Sequence, residues 1–335
     1  MSVEQIHLPR VAMRPKFRTW MFHTLLLLVT LVTATIAGVI YPFGKIPFPI
    51  QDPRDWAEAV GLAFTLPLFY INLIADAVHS IATNPAIRKD GLSFSLSLLF
   101  ILTSHEMGHY VACRLYRVDA TLPFFIPTPP MIGPAGTFGA FIKIKSPMPS
   151  RRAVFDIGVA GPIAGFIALI PVAILGVLRL KDVPASMLAI PGDISFADPL
   201  FMRVLGAMLG HDPTVSAGNP FYYAAWVGLL VTALNLIPSG QLDGGHAIYA
   251  ALGKRWHFFT GRIAFVIMTA LSIIGFVFYN SPSGFLVAVL LGVMLRVRHP
   301  EPYDQTPLDT KRKLIALLTL VIFVLCFTPF PIRIN

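Results

Sequence analysis

Charge is what this chain has little of. Asp, Glu, Lys and Arg make up 13% of its 335 residues, about half the share of a soluble domain, while 55% of positions are hydrophobic. That balance excludes an ordinary water-soluble enzyme and indicates a polytopic membrane protein. Cysteine is scarce too. Cys113 and Cys326 both lie in apolar context, so there is no disulfide framework from which to read a redox compartment. Long acidic or basic tails, internal repeats and low-complexity tracts are also missing. Lys and Arg outnumber Asp and Glu by 26 to 17, yet they sit in short groups beside apolar runs. Such grouping orients helices in a lipid bilayer and argues against a nucleic-acid partner. The first apolar run follows Arg10, Arg14, Lys16 and Arg18 and has no small-residue cleavage site, so it reads as a retained helix. With no transit-like leader in view, a bacterial inner membrane is expected rather than a plastid one.

What is present is a series of apolar segments. Spanning the hydrocarbon takes about 17–25 residues of helix. Clear candidates are 21–40, 92–115, 153–178, 221–237 and 263–279, with shorter ones at 284–295 and 314–328. Placing Arg114, Arg117, Arg151, Arg152, Lys254, Arg255 and the basic stretch 296–313 on the cytoplasmic side closes the alternation over seven spans. The segment 56–83 is long enough to cross but holds Glu58, Asp76 and His79, and counting it would misplace Arg114 and Arg117. It is read as an outer-surface or re-entrant piece. The predicted fold is therefore an all-α polytopic membrane protein, with about seven transmembrane helices and a short membrane-associated β hairpin. Three regions follow: an N-terminal helix and interfacial segment over 1–91, a core over 92–250, and C-terminal helices over 251–335.

The hairpin is predicted within 118–150. Pro123, Pro127, Pro129, Pro130, Gly133, Pro134, Gly136 and Gly139 forbid a continuous helix there. Phe141-Ile142-Lys143-Ile144-Lys145 alternates apolar and polar residues as a strand does. A cytoplasmic loop is the plainer alternative.

The chemistry centres on His105-Glu106-Met107-Gly108-His109, at the end of a run from Leu92 to Leu102 that carries no charge. Two imidazoles four residues apart share one helical face and can hold one zinc ion, and the adjacent glutamate can take a proton from a water at that ion. Ionisable groups at such depth are costly and mark function. A catalytic zinc needs a third protein ligand and an open position. Asp243 is the only carboxylate of the Gly-rich stretch from Asn235 to His246, after Pro238 and Gly240 break a helix. It is the first candidate, and His246, one turn further on, competes with it. Cys113 reads as a packed thiol, and His79, His211, His257 and His299 read as surface or interfacial residues.

Together, His105-Glu106-Met107-Gly108-His109, Asn235-Leu236-Ile237-Pro238 with Leu242-Asp243-Gly244, and Gly161-Pro162-Ile163-Ala164-Gly165 resemble the site-2 protease family of intramembrane zinc metalloproteases, peptidase family M50. Phe124-Phe125-Ile126-Pro127, Gly136-Thr137-Phe138-Gly139-Ala140 and the segment from Ser146 to Arg152 are similar to a bacterial and plastid subgroup. The resemblance covers roughly 92–250. It implies that His105, His109 and Asp243 bind one Zn2+, that Glu106 is the catalytic base, and that Asn235 holds substrate or the developing oxyanion. It also implies hydrolysis of a peptide bond in a transmembrane protein substrate, within the lipid bilayer and toward the cytoplasmic side. Strand 138–145 is expected to pair with the unwound substrate. Many members carry a PDZ domain, and the 181–220 loop is too short for one. The rival expectations are a metal transporter or sensor using the same ligands, and a catalytically inactive membrane adaptor.

Overall fold

A computed structural model describes residues 15–47, 55–184, 193–297 and 299–334. Among the described residues the seven apolar runs are all helical: α1 (Phe17–Ala37), α3 (Pro85–Leu115), α4 (Arg151–Val177), α6 (Pro220–Asn235), α8 (Lys254–Tyr279), α9 (Ser283–Met294) and α10 (Thr310–Cys326). Three more helices join them: α2 (Trp56–Thr83), α5 (Leu200–Leu209) and α7 (Asp243–Leu252). Among the described residues four helices are long and apolar enough to cross a membrane: α1, α2 from Val60 onward, α4 and α8. So three of the seven expected spans meet that standard alone, and α2 meets it unexpectedly.

The re-entrant reading of 56–83 is corrected, because α2 is one unbroken helix. Asp55 caps it by accepting the Glu58 N–H at 2.8 Å, and Pro67 sits inside it without ending it. Its C-terminal half places Leu73 and Ala77 against Val39 and Ile40, just past α1, with Ile87 of α3 alongside. Thr35 and Ser95 meet at 2.8 Å and a Cβ on Gly91 would stand 2.6 Å from Val39, so α1 and α3 run antiparallel. The end of α1, the end of α2 and the start of α3 therefore share one side, and His109 lies toward the other.

α4 is the axis of the bundle. Of its apolar window 61% is buried, against 28% for α1 and 11% for α2. Phe94, Leu98 and Ile101 of α3, Leu169 and Ala173 of α4, and Trp226 and Leu229 of α6 form the main core. Between helices in lipid, such packing stabilises through close contact rather than removal from water, which favours small residues. Gly108 shows this: a Cβ there would lie 2.4 Å from the Ala160 carbonyl oxygen.

Strands β1 (Phe124–Pro127) and β2 (Thr137–Phe141) make an antiparallel ribbon, with Phe124 opposite Phe141 and Phe125 opposite Ala140, and a bulge before the Pro127–Thr137 pair. The ribbon lies along α1. His23 Nδ1 donates to the Pro123 carbonyl at 2.8 Å, and Thr33 Oγ donates to the Gly136 carbonyl at 2.8 Å. Ten helical residues separate those contacts, about 15 Å of axis. The expected hairpin is thus present as a two-stranded ribbon. The expected strand 138–145 is corrected at its far end, because regular pairing covers Thr137–Phe141 and stops there. Beyond it, Thr121 N–H meets the Lys143 carbonyl at 3.0 Å and Lys145 N–H meets the Asp119 carbonyl at 2.8 Å, a looser continuation. Pro123 and Pro127 lack the donors that a regular ladder would need.

On the side opposite His109, β3 (Ile194–Phe196) pairs with β4 (Ile332–Ile334), tying the segment before α5 to the last described residues. On the His109 side, Arg312 of α10 grips Asp156 of α4 with Nε at 2.9 Å and an Nη at 2.6 Å, and reaches the Tyr116 hydroxyl just past α3 at 3.1 Å.

Candidate metal centre

The histidines of α3 sit one turn apart, with their Nε2 atoms 3.2 Å from each other. Asp243, first residue of α7, brings one carboxylate oxygen to 3.2 Å from His105 Nε2 and 3.3 Å from His109 Nε2. A sharp break delivers it there. α6 ends at Asn235, Gly240 takes a positive φ of 56°, and α7 then opens with the carboxylate at its N-terminus. Gly244 packs so tightly beneath that a Cβ would stand 2.0 Å from the Leu236 carbonyl oxygen.

Three ligand atoms on this triangle fit one ion. Tetrahedral partners about 2.0–2.1 Å from a zinc centre stand roughly 3.3 Å apart, which is the spacing found here. The hydrogen bonding agrees. His109 Nδ1 lies 2.7 Å from the Ile157 carbonyl, which can only accept, so Nδ1 carries the proton and a neutral ring offers a bare lone pair at Nε2. Among the described residues this is the one cluster of three such side chains close enough to share an ion.

α4 forms the back wall, and the bareness of its glycines makes room. A Cβ on Gly161 would lie 2.0 Å from His109 Nε2, one on Gly165 would lie 3.0 Å from the His105 Cβ, and one on Gly158 would lie 2.8 Å from the His246 Cβ. The Gly161–Gly165 motif was visible in the sequence, but its contact with the imidazoles was not.

Glu106 is 5% exposed, with Oε1 4.0 Å from His105 Nε2. The backbone N–H of Ile142, just beyond β2, faces its carboxylate. A cavity of about 190 Å3 runs between, lined by Glu106, Ala140, Phe141, Ile142, Asn235 and His246 among others. Among the described residues β2 pairs with β1 alone, which leaves one edge open, and the residues at its end line this cavity. The Asn235 amide lies 3.4 Å from His105 Nε2, beside the ligand triangle.

The other sequence candidates separate cleanly. Cys113 is fully buried among Val118, Val154 and Phe155, away from the triangle. His79 is exposed on α2. His246 lines the cavity but is not among the three clustered ligands. His257 and His299 are half-buried and have partners that no pattern in the sequence showed: His257 Nε2 is 2.9 Å from the Gly240 carbonyl, His246 Nδ1 is 2.7 Å from His299 Nε2, and His299 stacks on Tyr249 at 4.0 Å between ring centres. No local spacing signals that group, because the partners come from distant parts of the chain. The Ile142 contact to Glu106 was likewise hidden, since it is made by backbone.

Comparison with known proteins agrees with this geometry. The model of peptidase family M50 matches residues 93–277. A probable chloroplastic zinc metalloprotease EGY1 of Oryza sativa subsp. japonica is 32% identical over 251 residues, 72% of this chain and 41% of that protein. Its namesake from Arabidopsis thaliana is 32% identical over 247 residues, 71% of this chain and 43% of that protein. A probable chloroplastic zinc metalloprotease EGY2 of Arabidopsis thaliana is 30% identical over 211 residues, 60% of this chain and 36% of that protein. The chain thus spans about two fifths of the length of these curated relatives.

Proposed function

The chain belongs to peptidase family M50, the site-2 protease family that its motifs resemble, and on that footing we propose that it is an intramembrane zinc metalloprotease. Its substrate is a transmembrane protein, and the reaction is hydrolysis of a peptide bond within or near the membrane segment, as in regulated intramembrane proteolysis. One observation carries the reading: the converging Nε2, Nε2 and carboxylate atoms stand beside a glutamate that also faces an unpaired strand edge.

His105, His109 and Asp243 would hold the zinc, and Ile157 fixes the His109 ring for that task. When bound, the ion supplies Lewis-acid polarisation of the scissile carbonyl and of the attacking water. Glu106 accepts the water's proton and returns it to the leaving amine. Asn235 lies where its amide can donate to the oxygen that gains charge as the carbonyl is attacked. A substrate helix hides its own carbonyls and N–H groups, so it has to unwind before attack. The free edge from β2 to Ile142 offers replacement hydrogen bonds to the unwound stretch.

Residues 92–250 act as the catalytic core in this reading, within seven crossing helices: α1, α3, α4, α6, α8, α9 and α10. The C-terminal half of α2 lies near the outer ends of α1 and α3. The site then opens toward the face that carries Arg114, Arg151 and Lys254, the cytoplasmic face of a bacterial inner membrane. The deciding experiment compares membrane proteomes of cells carrying wild type and Glu106→Gln. Single-pass proteins that accumulate uncut in the variant, at equal zinc content, support the proposal. Unchanged membrane protein processing with an intact metal site points to a transporter or sensor instead.

A further inference from the structure

The cavity has two walls of different origin. The edge of β2 is carried by α1 and α3, whereas His246 stands on α7, which packs on α4 and α8. An extended peptide directs N–H and C=O groups to both sides. Pairing with β2 satisfies one side only, and inside the protein the other side also needs partners.

His246 is held for such a role. The Pro300 carbonyl, 2.8 Å from His299 Nδ1, can only accept, so that nitrogen carries a proton. Burial pushes the His299 imidazole down to about 3, with His246 adding to the shift, so the ring is neutral and its Nε2 is bare. The 2.7 Å contact between His299 Nε2 and His246 Nδ1 then needs the proton on His246 Nδ1. In the neutral ring this leaves His246 Nε2 as a lone-pair acceptor, with no hydrogen bond to it among the described residues. Tyr249 stacked on His299 and Gly158 beneath the His246 Cβ fix the pair in place. A bare acceptor cannot stabilise an oxyanion, but it can receive an N–H.

Resting on the protease reading, we propose that His246 Nε2 accepts a backbone N–H of the extended substrate, on the wall that β2 does not supply. His299 is the positioning residue that sets the proton arrangement of His246.

The test uses the full chain, zinc-loaded in nanodiscs, with a transmembrane peptide that the wild type cleaves. Amides flanking the scissile bond are replaced one at a time by esters, each removing one N–H. At one position the ester should lower wild-type kcat/KM about tenfold, mainly through KM. His246→Phe should be insensitive to that ester while keeping its zinc. His246→Gln, whose amide oxygen reaches the place of Nε2, should regain part of the sensitivity. His246→Asn keeps the bond to His299 but is too short to reach substrate, so it carries the comparison where the phenylalanine variant does not assemble. If these short or apolar variants remain as ester-sensitive as wild type at every position, the acceptor role is overturned and the protease reading stands. If the wild type cleaves no transmembrane peptide at all, the protease reading falls and takes this role with it.

Discussion

His109 lies directly over the backbone of Gly161, close enough that any β-carbon at position 161 would stand 2.0 Å from the ligand nitrogen Nε2. The metal site is therefore shaped as much by what α4 lacks as by what α3 carries.

From that contact, Gly161→Ala should displace the His109 ring and reduce bound zinc from one ion per chain toward none. Gly165→Ala, whose added carbon would meet the His105 Cβ at 3.0 Å, should cost less. Metal analysis of both purified variants checks the order. Equal zinc in Gly161→Ala and wild type would show that the imidazole does not need that space.

Glu106→Gln keeps the shape of the side chain and removes the base. Cleavage should fall by at least about 100-fold, the range for loss of a general acid–base group, with zinc content unchanged. Turnover of a transmembrane peptide measured beside metal content separates this from loss of the ion.

Ile142→Pro deletes the N–H that faces Glu106 and breaks the edge that follows β2. Cleavage should be abolished while zinc stays normal. Phe141→Pro, one residue earlier, should behave alike. Unchanged turnover in both would remove the ribbon from the mechanism.

Arg312→Lys tests the clamp on α3, α4 and α10. Lysine cannot reproduce the two-pronged grip on Asp156 together with the Tyr116 contact. The variant should lose about 1 kcal/mol of stability, read as a lower melting temperature in detergent, with catalytic constants little changed below that temperature.

The reach of the sequence can be argued from particular residues. His105, Glu106 and His109 were legible because one helix sets their spacing. Asp243 was legible as the lone carboxylate of a Gly-rich break, but its contest with His246 needed the fold, which puts only the carboxylate against both imidazoles. The continuity of α2 was obscured by Glu58, Asp76 and His79. In the structure all three are exposed on a helix that is mostly unburied, so they impose no break. The ribbon was foreseen from its prolines and glycines, but its register was not. Alternation in 141–145 fits a strand, whereas regular pairing is decided by which backbone donors the opposite segment has. The His246–His299 pair spans 53 residues of chain and left no local trace.

The broken connection between α6 and α7 also has a bearing on how the molecule is made. The two imidazoles enter the membrane well over a hundred residues before the aspartate that completes their triangle. With translation at roughly 5–20 residues per second, the growing chain spends about ten seconds with an unfinished centre. On the protease reading, the chain is inert until its last ligand emerges and cannot cut its neighbours at the insertion machinery during its own birth.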